Sequence, residues 1–259
     1  MFKFIKGFMD YRFLLSELVK KGIRLKYRRS YLGILWSLLE PILTTIILTI
    51  VFTNMYHKGA TFPLYIIIGR LLYTFFQNGT KGALTSIRKN SGMIKKVYVP
   101  KYLYPLSDIL FNFVIFSISL IVIVFVDIYC KVLPTWRVIY FIPAVMILLI
   151  MTIGVGLILC TLSVFFRDVE YLWNVALMLI MYLSAIFYDT KTMFGNNKLG
   201  GMMVKLNPLY QLIDMCRASV LNERIHWLGV AYATGFSFAS LIVGLVIFRK
   251  NQDKFILHI

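Results

Sequence analysis

Long apolar runs alternate with short basic segments along the whole chain. A helix needs roughly 20 apolar residues to cross the hydrocarbon core of a bilayer. Six runs meet or approach that length, so the pattern predicts an all-α polytopic membrane protein, a single domain over 1–259 with six transmembrane helices. The predicted spans are about 33–56, 62–80, 105–128, 139–166, 172–188 and 228–248.

The first 32 residues predict a cytoplasmic amphipathic helix, centred on residues 10–29. At 100° per residue its apolar and basic side chains fall on opposite faces. Such a helix suits the membrane interface, where the basic face attracts anionic lipids. It is either a simple anchor or an anchor that also docks a cytoplasmic partner. The apolar face holds Tyr11, Leu14, Leu15, Leu18 and Leu25, and the basic face holds Lys20, Lys21, Arg24 and Arg28.

Composition agrees with a chain solvated mainly by lipid, because 59% of the 259 residues are hydrophobic and only 15% are charged. The formal net charge of +17 is also typical of nucleic-acid binding proteins. Most of the basic residues, however, lie in segments that share one side of the membrane if the N-terminus is cytoplasmic. The positive-inside rule then predicts both termini in the cytoplasm and needs no nucleic acid. The basic N-terminus also argues against a cleavable signal peptide.

The long segment 189–227 between the last two spans contains its own helical pattern. Asn207 and Pro208 mark a turn, and apolar residues then recur at helical spacing over 209–221. We expect short outer-loop helices here. They either dip into the outer leaflet or lie on its surface as a hairpin.

Five stretches of this chain follow one another in a recognisable order. They are KYRRSYLGILWSLLEPIL (26–43), FPLYIIIGRLLYTFF (62–76), NSGMIKKVYVPKYLYPLSDIL (90–110), FFRDVEYLWNVALMLIMYLSAIFY (165–188) and LNPLYQLIDMCRASVL (206–221). Together they resemble the membrane subunits of bacterial ABC exporters for surface polysaccharides, a family that serves O-antigen, capsule and teichoic acid. One position departs from that family, because Ala185 stands where proline is common. A less kinked fifth span is the expected consequence.

The resemblance implies a homodimer that works with two separately encoded ATPase subunits. The sequence agrees on one point, since it contains no G-x-x-x-x-G-K-[ST] phosphate loop. ATP and Mg²⁺ are therefore expected in the partner subunit, with no cofactor in this chain. The implied cargo is an undecaprenyl-type lipid-linked polysaccharide in the bacterial cytoplasmic (inner) membrane. The basic residues expected to couple to the ATPase are Arg24, Arg28, Arg88, Lys89, Lys95 and Lys96.

Two charged residues fall inside predicted spans, where each costs roughly 2.5–3.5 kcal/mol at the helix centre. Glu40 in the first span and Arg70 in the second both lie roughly 12–15 Å above the inner edge, at 1.5 Å per residue. Because these spans are antiparallel neighbours, an intramembrane Glu40–Arg70 ion pair is one hypothesis. The other is that Arg70 faces the conduit and meets a phosphate or an acidic sugar.

Aromatic residues in the first and fifth spans are candidates for the polymer conduit, because by resemblance these two spans line it. Sugar rings stack on aromatic planes through their CH faces, which suits a path along which a polymer slides. The alternative for such residues is packing in the core or against lipid. The conduit candidates are Trp36, Phe52, Tyr182, Phe187 and Tyr188.

Other functional classes are less consistent with the residues. Cys130 and Cys216 fall on the outer side, where a disulfide is chemically permitted, but two free thiols are favoured. The three histidines are widely separated, and no D-x-D-like diphosphate site occurs. A membrane-embedded glycan or acyl transferase is therefore disfavoured as an enzyme alternative. An ABC drug or antibiotic export permease is the alternative within transport.

Overall fold

The structure, a computed structural model, describes residues 11–56, 61–96, 99–132, 135–188 and 198–258, which contain helices, turns and no strand. Short 3₁₀ turns join some of the helices, at Gly33–Leu35, Trp136–Tyr140 and Gln252–Lys254. The α-helices are α1 (Arg12–Tyr27), α2 (Trp36–Tyr56), α3 (Phe62–Lys89), α4 (Ser91–Ile94), α5 (Leu103–Ser119), α6 (Ile121–Tyr129), α7 (Phe141–Phe165), α8 (Val169–Leu183), α9 (Lys198–Lys205), α10 (Pro208–Val220), α11 (Trp227–Asn251) and α12 (Phe255–His258).

Four helical segments of the described chain have the length and apolar composition of a membrane span. They are Gly33–Phe52, Leu103–Tyr129, Trp136–Phe165 and Trp227–Lys254. Helix α8 is apolar but shorter, and α3 carries a polar face. An all-helical fold with four candidate membrane spans is thus confirmed for the described residues, while the count of six spans stays a prediction.

Two predicted spans differ from the observed helices at their ends. Helix α3 continues to Lys89 instead of stopping near residue 80, and it ends where the Asn90 carboxamide donates a hydrogen bond to the Ser86 carbonyl at 2.8 Å. Helix α8 ends at Leu183, whereas the predicted span ran to residue 188. At Ala185 the backbone enters the left-handed region with φ of 46°, which a continuing helix cannot adopt.

Both predicted amphipathic helices exist. Helix α1 lies within the predicted segment 10–29, and α10 coincides almost residue for residue with the predicted 209–221. The start of α10 is determined locally, because Asn207 accepts a hydrogen bond from the Leu209 N–H at 3.0 Å and Pro208 occupies the first turn. Their placement at membrane interfaces stays a prediction.

Pro41 lies inside α2, and the structure compensates for the hydrogen bond that it removes. A proline has no N–H to donate to the carbonyl four residues earlier, here that of Ser37. The Ser119 hydroxyl on α5 donates to this Ser37 carbonyl at 2.8 Å. In a bilayer a freed backbone group needs such an internal partner, so this contact ties α2 to α5.

The main core surrounds α3 and α7, which pack against α5, α10 and α11. A second core, here called the basal cluster, lies at the end of the bundle that carries α1, α4 and α12. Phe255 at its centre is fully buried and meets the rings of Phe165 and Phe248. The Lys101 ammonium donates to the Gln252 carbonyl at 2.6 Å, which joins the segment after α4 to the C-terminal turns.

Helices α7 and α11 cross with their backbones in close approach at two glycines. A Cβ atom at Gly154 would lie 2.4 Å from the Leu241 backbone nitrogen, and one at Gly244 would lie 2.6 Å from the Gly154 carbonyl oxygen. Small residues permit this kind of packing between membrane helices, where there is little hydrophobic driving force between them.

Arg217 on α10 is the one arginine among the buried polar and charged residues of the described chain, with 2% of its surface exposed. Its guanidinium donates to the carbonyls of Tyr65, Ala185 and Ile186, each at 3.1 Å, and lies 3.4 Å above the Tyr65 ring. The Tyr65 hydroxyl donates to the Ala185 and Tyr188 carbonyls at 3.3 and 2.9 Å. These contacts, here called the Arg217 knot, join α3, α10 and the turn after α8.

Gly154→Ala should destabilise the α7–α11 pair by about 1–3 kcal/mol, because the new methyl group meets backbone that cannot move aside alone. Gly235→Ala on α11 is the control, since a Cβ atom there meets nothing within 4 Å. Unfolding in mixed detergent micelles measures both. Equal stability of the two variants would contradict the close crossing.

Arg217→Lys should lower the free energy of unfolding by about 3 kcal/mol, because an ammonium cannot reproduce the fork that reaches three carbonyls in one plane. Arg137→Lys is the matched control. Arg137 also donates to two carbonyls, those of Asn222 and Glu223, but in solvent. Arg137→Lys should lower the free energy of unfolding by less than about 1 kcal/mol. A decrease equal to that of Arg217→Lys would rule out a special role for the knot.

Candidate functional site

A charged cleft of about 100 Å³ opens between α1, α2, α3 and α5. Each of three helices contributes one charged residue to its wall, namely Lys26 from α1, Glu40 from α2 and Arg70 from α3. The contact between Ser119 and the Ser37 carbonyl fixes the wall where α2 meets α5. The remaining polar lining residues are Tyr27, Ser37, Thr44, Thr45, Thr74, Asn78, Asn112 and Ser119.

A second hollow of about 630 Å³ adjoins this charged cleft, and Lys26, Asn78 and Asn112 line both. It extends towards the start of α8, where Glu170 and Trp173 form part of its wall. The Trp173 ring nitrogen donates to the Thr80 hydroxyl at 3.1 Å, which holds α8 against α3. We call this space the lower hollow.

One face of α3 supplies polar residues to both cavities. Residues three or four positions apart share a helix face, and the polar side chains of α3 recur at this spacing over five turns. The opposite face of the same helix packs into the main core. The spacing of these polar residues is visible in the sequence. This polar stripe was missed in the sequence analysis because the average hydropathy of the segment predicts an ordinary span. The stripe consists of Arg70, Thr74, Asn78, Lys81, Thr85 and Lys89.

Glu40 and Arg70 line the same cleft, as their predicted depth requires. Among the described residues, the ion pairs within 4 Å are Lys20–Glu17 and Arg88–Glu170, so Glu40 and Arg70 line the cleft without a salt bridge between them. The hypothesis of a Glu40–Arg70 pair therefore stays a prediction. Lys26 at the mouth of the cleft is also influenced by Glu40. Desolvation lowers the pKa of the Lys26 ammonium, and the Glu40 carboxylate opposes that shift.

The predicted coupling residues divide into two surface groups. Arg88 forms an ion pair with Glu170, so the end of α3 is joined to the start of α8. Lys89 borders the lower hollow beside them, and Lys95 and Lys96 follow directly after α4. Arg24 and Arg28 lie together on the exposed side of α1, along a shallow groove.

The five aromatic residues predicted for the conduit do not form one group. Trp36 lies at the start of α2 and lines the charged cleft. Phe52, at the other end of α2, stacks on Phe187 with ring centroids 5.4 Å apart. Tyr182 is exposed on α8, while Tyr188 is buried and its hydroxyl donates to the Tyr182 carbonyl at 2.6 Å. Their role in a conduit stays a prediction.

All three cysteines are free thiols, and Cys216 lies buried in the main core. This agrees with the favoured expectation for Cys130 and Cys216. Across the described ranges, no three side chains of histidine, cysteine, aspartate or glutamate come together as metal ligands would.

The main residue that sequence analysis missed is Arg217. The net-charge argument places it with ordinary outer-loop basic residues, but the structure buries it in the knot. A signal was present, since Arg217 interrupts the otherwise apolar and small residues at the end of α10. An arginine on the inward face of an amphipathic helix needs buried acceptors, and the turn after α8 supplies them.

Known proteins resemble this chain over most of its length. The O-antigen export system permease protein RfbA of Myxococcus xanthus is 27% identical over 226 residues, which are 87% of this chain and 86% of that protein. RfbA of Klebsiella pneumoniae is 28% identical over 247 residues, 93% of each chain. The polysialic acid transport protein KpsM of Escherichia coli is 22% identical over an alignment of 265 positions, which covers 95% of this chain and 96% of that protein.

A family model confirms the relationship at a broader level. The model of the ABC-2 type transporter membrane family matches residues 14–221, which extend from α1 to the end of α10 and include both the charged cleft and the Arg217 knot. This match covers well over half of the chain. The chain therefore belongs to the ABC-2 type transporter family of membrane subunits.

Proposed function

We propose that this chain is the permease subunit of an ABC exporter that moves a lipid-linked surface polysaccharide across the bacterial cytoplasmic membrane. Two copies form the membrane part, and two separate ATPase subunits bind and hydrolyse ATP with Mg²⁺. The observation that carries the proposal is the near full-length similarity to permeases named for O-antigen export and polysialic acid transport. The drug-permease alternative has no comparable support among these relatives.

Six spans with both termini in the cytoplasm are consistent with the helix lengths. Helix α3 has 28 residues and is about 42 Å long, enough to cross the bilayer with turns to spare. Helix α8 has 15 residues and is only about 22 Å long, so by itself it falls short of a hydrocarbon core of roughly 30 Å. The turn at 184–188 then lies at membrane depth as part of the fifth span.

Irregular backbone is tolerated at membrane depth only where protein satisfies its polar groups. The Arg217 knot meets that requirement, because Arg217 and Tyr65 donate to the carbonyls of Ala185, Ile186 and Tyr188. We infer that the fifth span is a broken span: α8 followed by a turn held from within the protein. This arrangement brings Phe187 against Phe52 of the first span.

The conduit in this proposal runs along the exposed aromatic and apolar faces of α2 and α8. Tyr182 is 54% exposed and Trp36 is 45% exposed, so both present ring surface to a neighbouring copy or to a sugar. Stacking on such faces needs no buried charge. A polymer of varied sugars could therefore pass without a site specific for each sugar.

Coupling to the ATPase is mechanical in this proposal and passes through the basal cluster. Lys95 and Lys96 directly follow α4, and the Ile94 side chain of α4 packs into the basal cluster. A force on α4 is therefore transmitted to α1 and α12 through packed side chains. The basic face of α1, with Arg24 and Arg28, completes the surface that faces the ATPase.

The proposed function is tested by co-expression with the ATPase encoded beside the gene. We expect a complex of two permease and two ATPase chains whose ATP hydrolysis increases with a lipid-linked glycan. Export of that glycan into proteoliposomes should depend on ATP. A monomer that binds no ATPase would refute the proposal.

Ile94→Ala should uncouple the two subunits. Removing a buried side chain of this size costs about 2–5 kcal/mol of packing, enough to loosen α4 from the basal cluster. The complex should still assemble and hydrolyse ATP, while the glycan exported per ATP falls severalfold. The control is Met93→Ala on the same helix, where 39% of the side chain is exposed. Equal export per ATP in both variants would exclude transmission through Ile94.

A further inference from the structure

The charged cleft contains two cations and one anion that do not pair in contact. Lys26 and Arg70 stand on different helices, and Glu40 lines the same cleft from α2. A structural ion pair inside a membrane protein is expected to close to hydrogen-bonding distance, because an isolated charge there is expensive. The separation of these groups across an open cleft instead leaves room for a ligand between them.

The sign of the charges indicates what that ligand is. The cleft itself has one more cation than anion, and the polar stripe continues with Lys81 and Lys89 into the lower hollow. The acidic groups of that hollow are Asp108 and Glu170, and Glu170 is already paired with Arg88. The whole path is therefore attractive to an anion that enters from the side of α1.

The two cations can bind a phosphate, and the membrane setting makes a lipid head group the favoured source of one. An arginine offers several N–H donors in a planar fork that fits phosphate oxygens, and a lysine adds a point charge. The Lys26 ammonium lies 5.9 Å from the centre of the Phe111 ring, so it is held at the mouth by an aromatic ring that cannot neutralise it. Basic pockets between transmembrane helices commonly bind the phosphate head groups of lipids.

We propose that the charged cleft binds the phosphate-bearing head group of an anionic lipid between Lys26 and Arg70, and that Glu40 is an internal counter-ion which competes with the phosphate. The head group is assigned to the lipid that carries the exported polymer, so this proposal rests on the proposed function. The head group of a bulk phospholipid has the same chemistry and is the alternative source.

Removing one of the two cations and removing Glu40 should change the affinity for the phosphate in opposite directions. Removing a cation removes a donor to the phosphate, so affinity falls. Removing the Glu40 carboxylate removes a repulsion and a competitor, so affinity rises. A structural Glu40–Arg70 pair makes the contrary prediction, because loss of either partner would then damage the same arrangement in the same direction.

The test uses the full-length complex with its ATPase, held in phosphatidylcholine nanodiscs, with undecaprenyl diphosphate as the probe and native mass spectrometry as the readout. Arg70→Gln and Lys26→Gln should each weaken binding about tenfold, the loss expected for a charged hydrogen bond. Glu40→Gln should strengthen binding severalfold. Lys250→Gln, which removes the same charge from the exposed end of α11 outside both cavities, should leave binding unchanged.

Three outcomes would overturn the proposal. Weakening of binding by Glu40→Gln and Arg70→Gln alike would favour a structural pair. An effect of Lys250→Gln equal to that of Lys26→Gln would show only a general surface charge effect. Equal competition by phosphatidylglycerol would assign the cleft to bulk phospholipid. Arg70→Lys guards against misfolding, since it keeps the charge and should recover most of the affinity.

Failure here is distinguishable from failure of the proposed function. If the variants bind the probe normally and the wild-type complex still exports glycan, the cleft is not the head-group site but the exporter assignment stands. If the wild-type complex does not assemble or export, the function itself is refuted, whatever the binding result.

Discussion

The hydrogen bonds from Arg217 to the carbonyls of Ala185 and Ile186 make it possible for α8 to end where it does. A helix of 15 residues is too short to cross the bilayer alone, and in the proposed six-span arrangement the turn that follows places backbone oxygens where lipid cannot satisfy them. A guanidinium on α10 satisfies them, and its third bond, to the Tyr65 carbonyl, fixes the turn to α3. The close approach needs Gly69, where a Cβ atom would lie 2.6 Å from the guanidinium.

Helix α3 connects this knot to the rest of the machinery. Tyr65 lies near its start, Arg70 lines the charged cleft one turn later, and Arg88 reaches Glu170 at its far end. Because these residues belong to one continuous helix, a displacement at either end changes the cleft in the middle. The same helix therefore links the proposed coupling surface to the broken fifth span through backbone hydrogen bonds.

Local signals in the sequence were sufficient for some elements but not for others. The start of α10 was predictable because Asn207 and Pro208 form a cap that depends on adjacent residues alone. The end of α8 was not, since the turn at Ala185 is stable only with an arginine 32 positions later in the chain. The polar stripe on α3 is an intermediate case. Its periodic spacing can be read from the sequence, but only the packing of α1, α2 and α5 against it shows that it lines a cleft.

Hydropathy and charge in the sequence determined that this is a helical membrane protein, because the bilayer admits few ways of satisfying a backbone. The order of the motifs along the chain also identified the family. Only the tertiary structure decided that Arg217 is buried and that Glu40 and Arg70 line one cleft with Lys26. Periodicity records which face of a helix is apolar, whereas the partner of a buried charge depends on how distant helices pack.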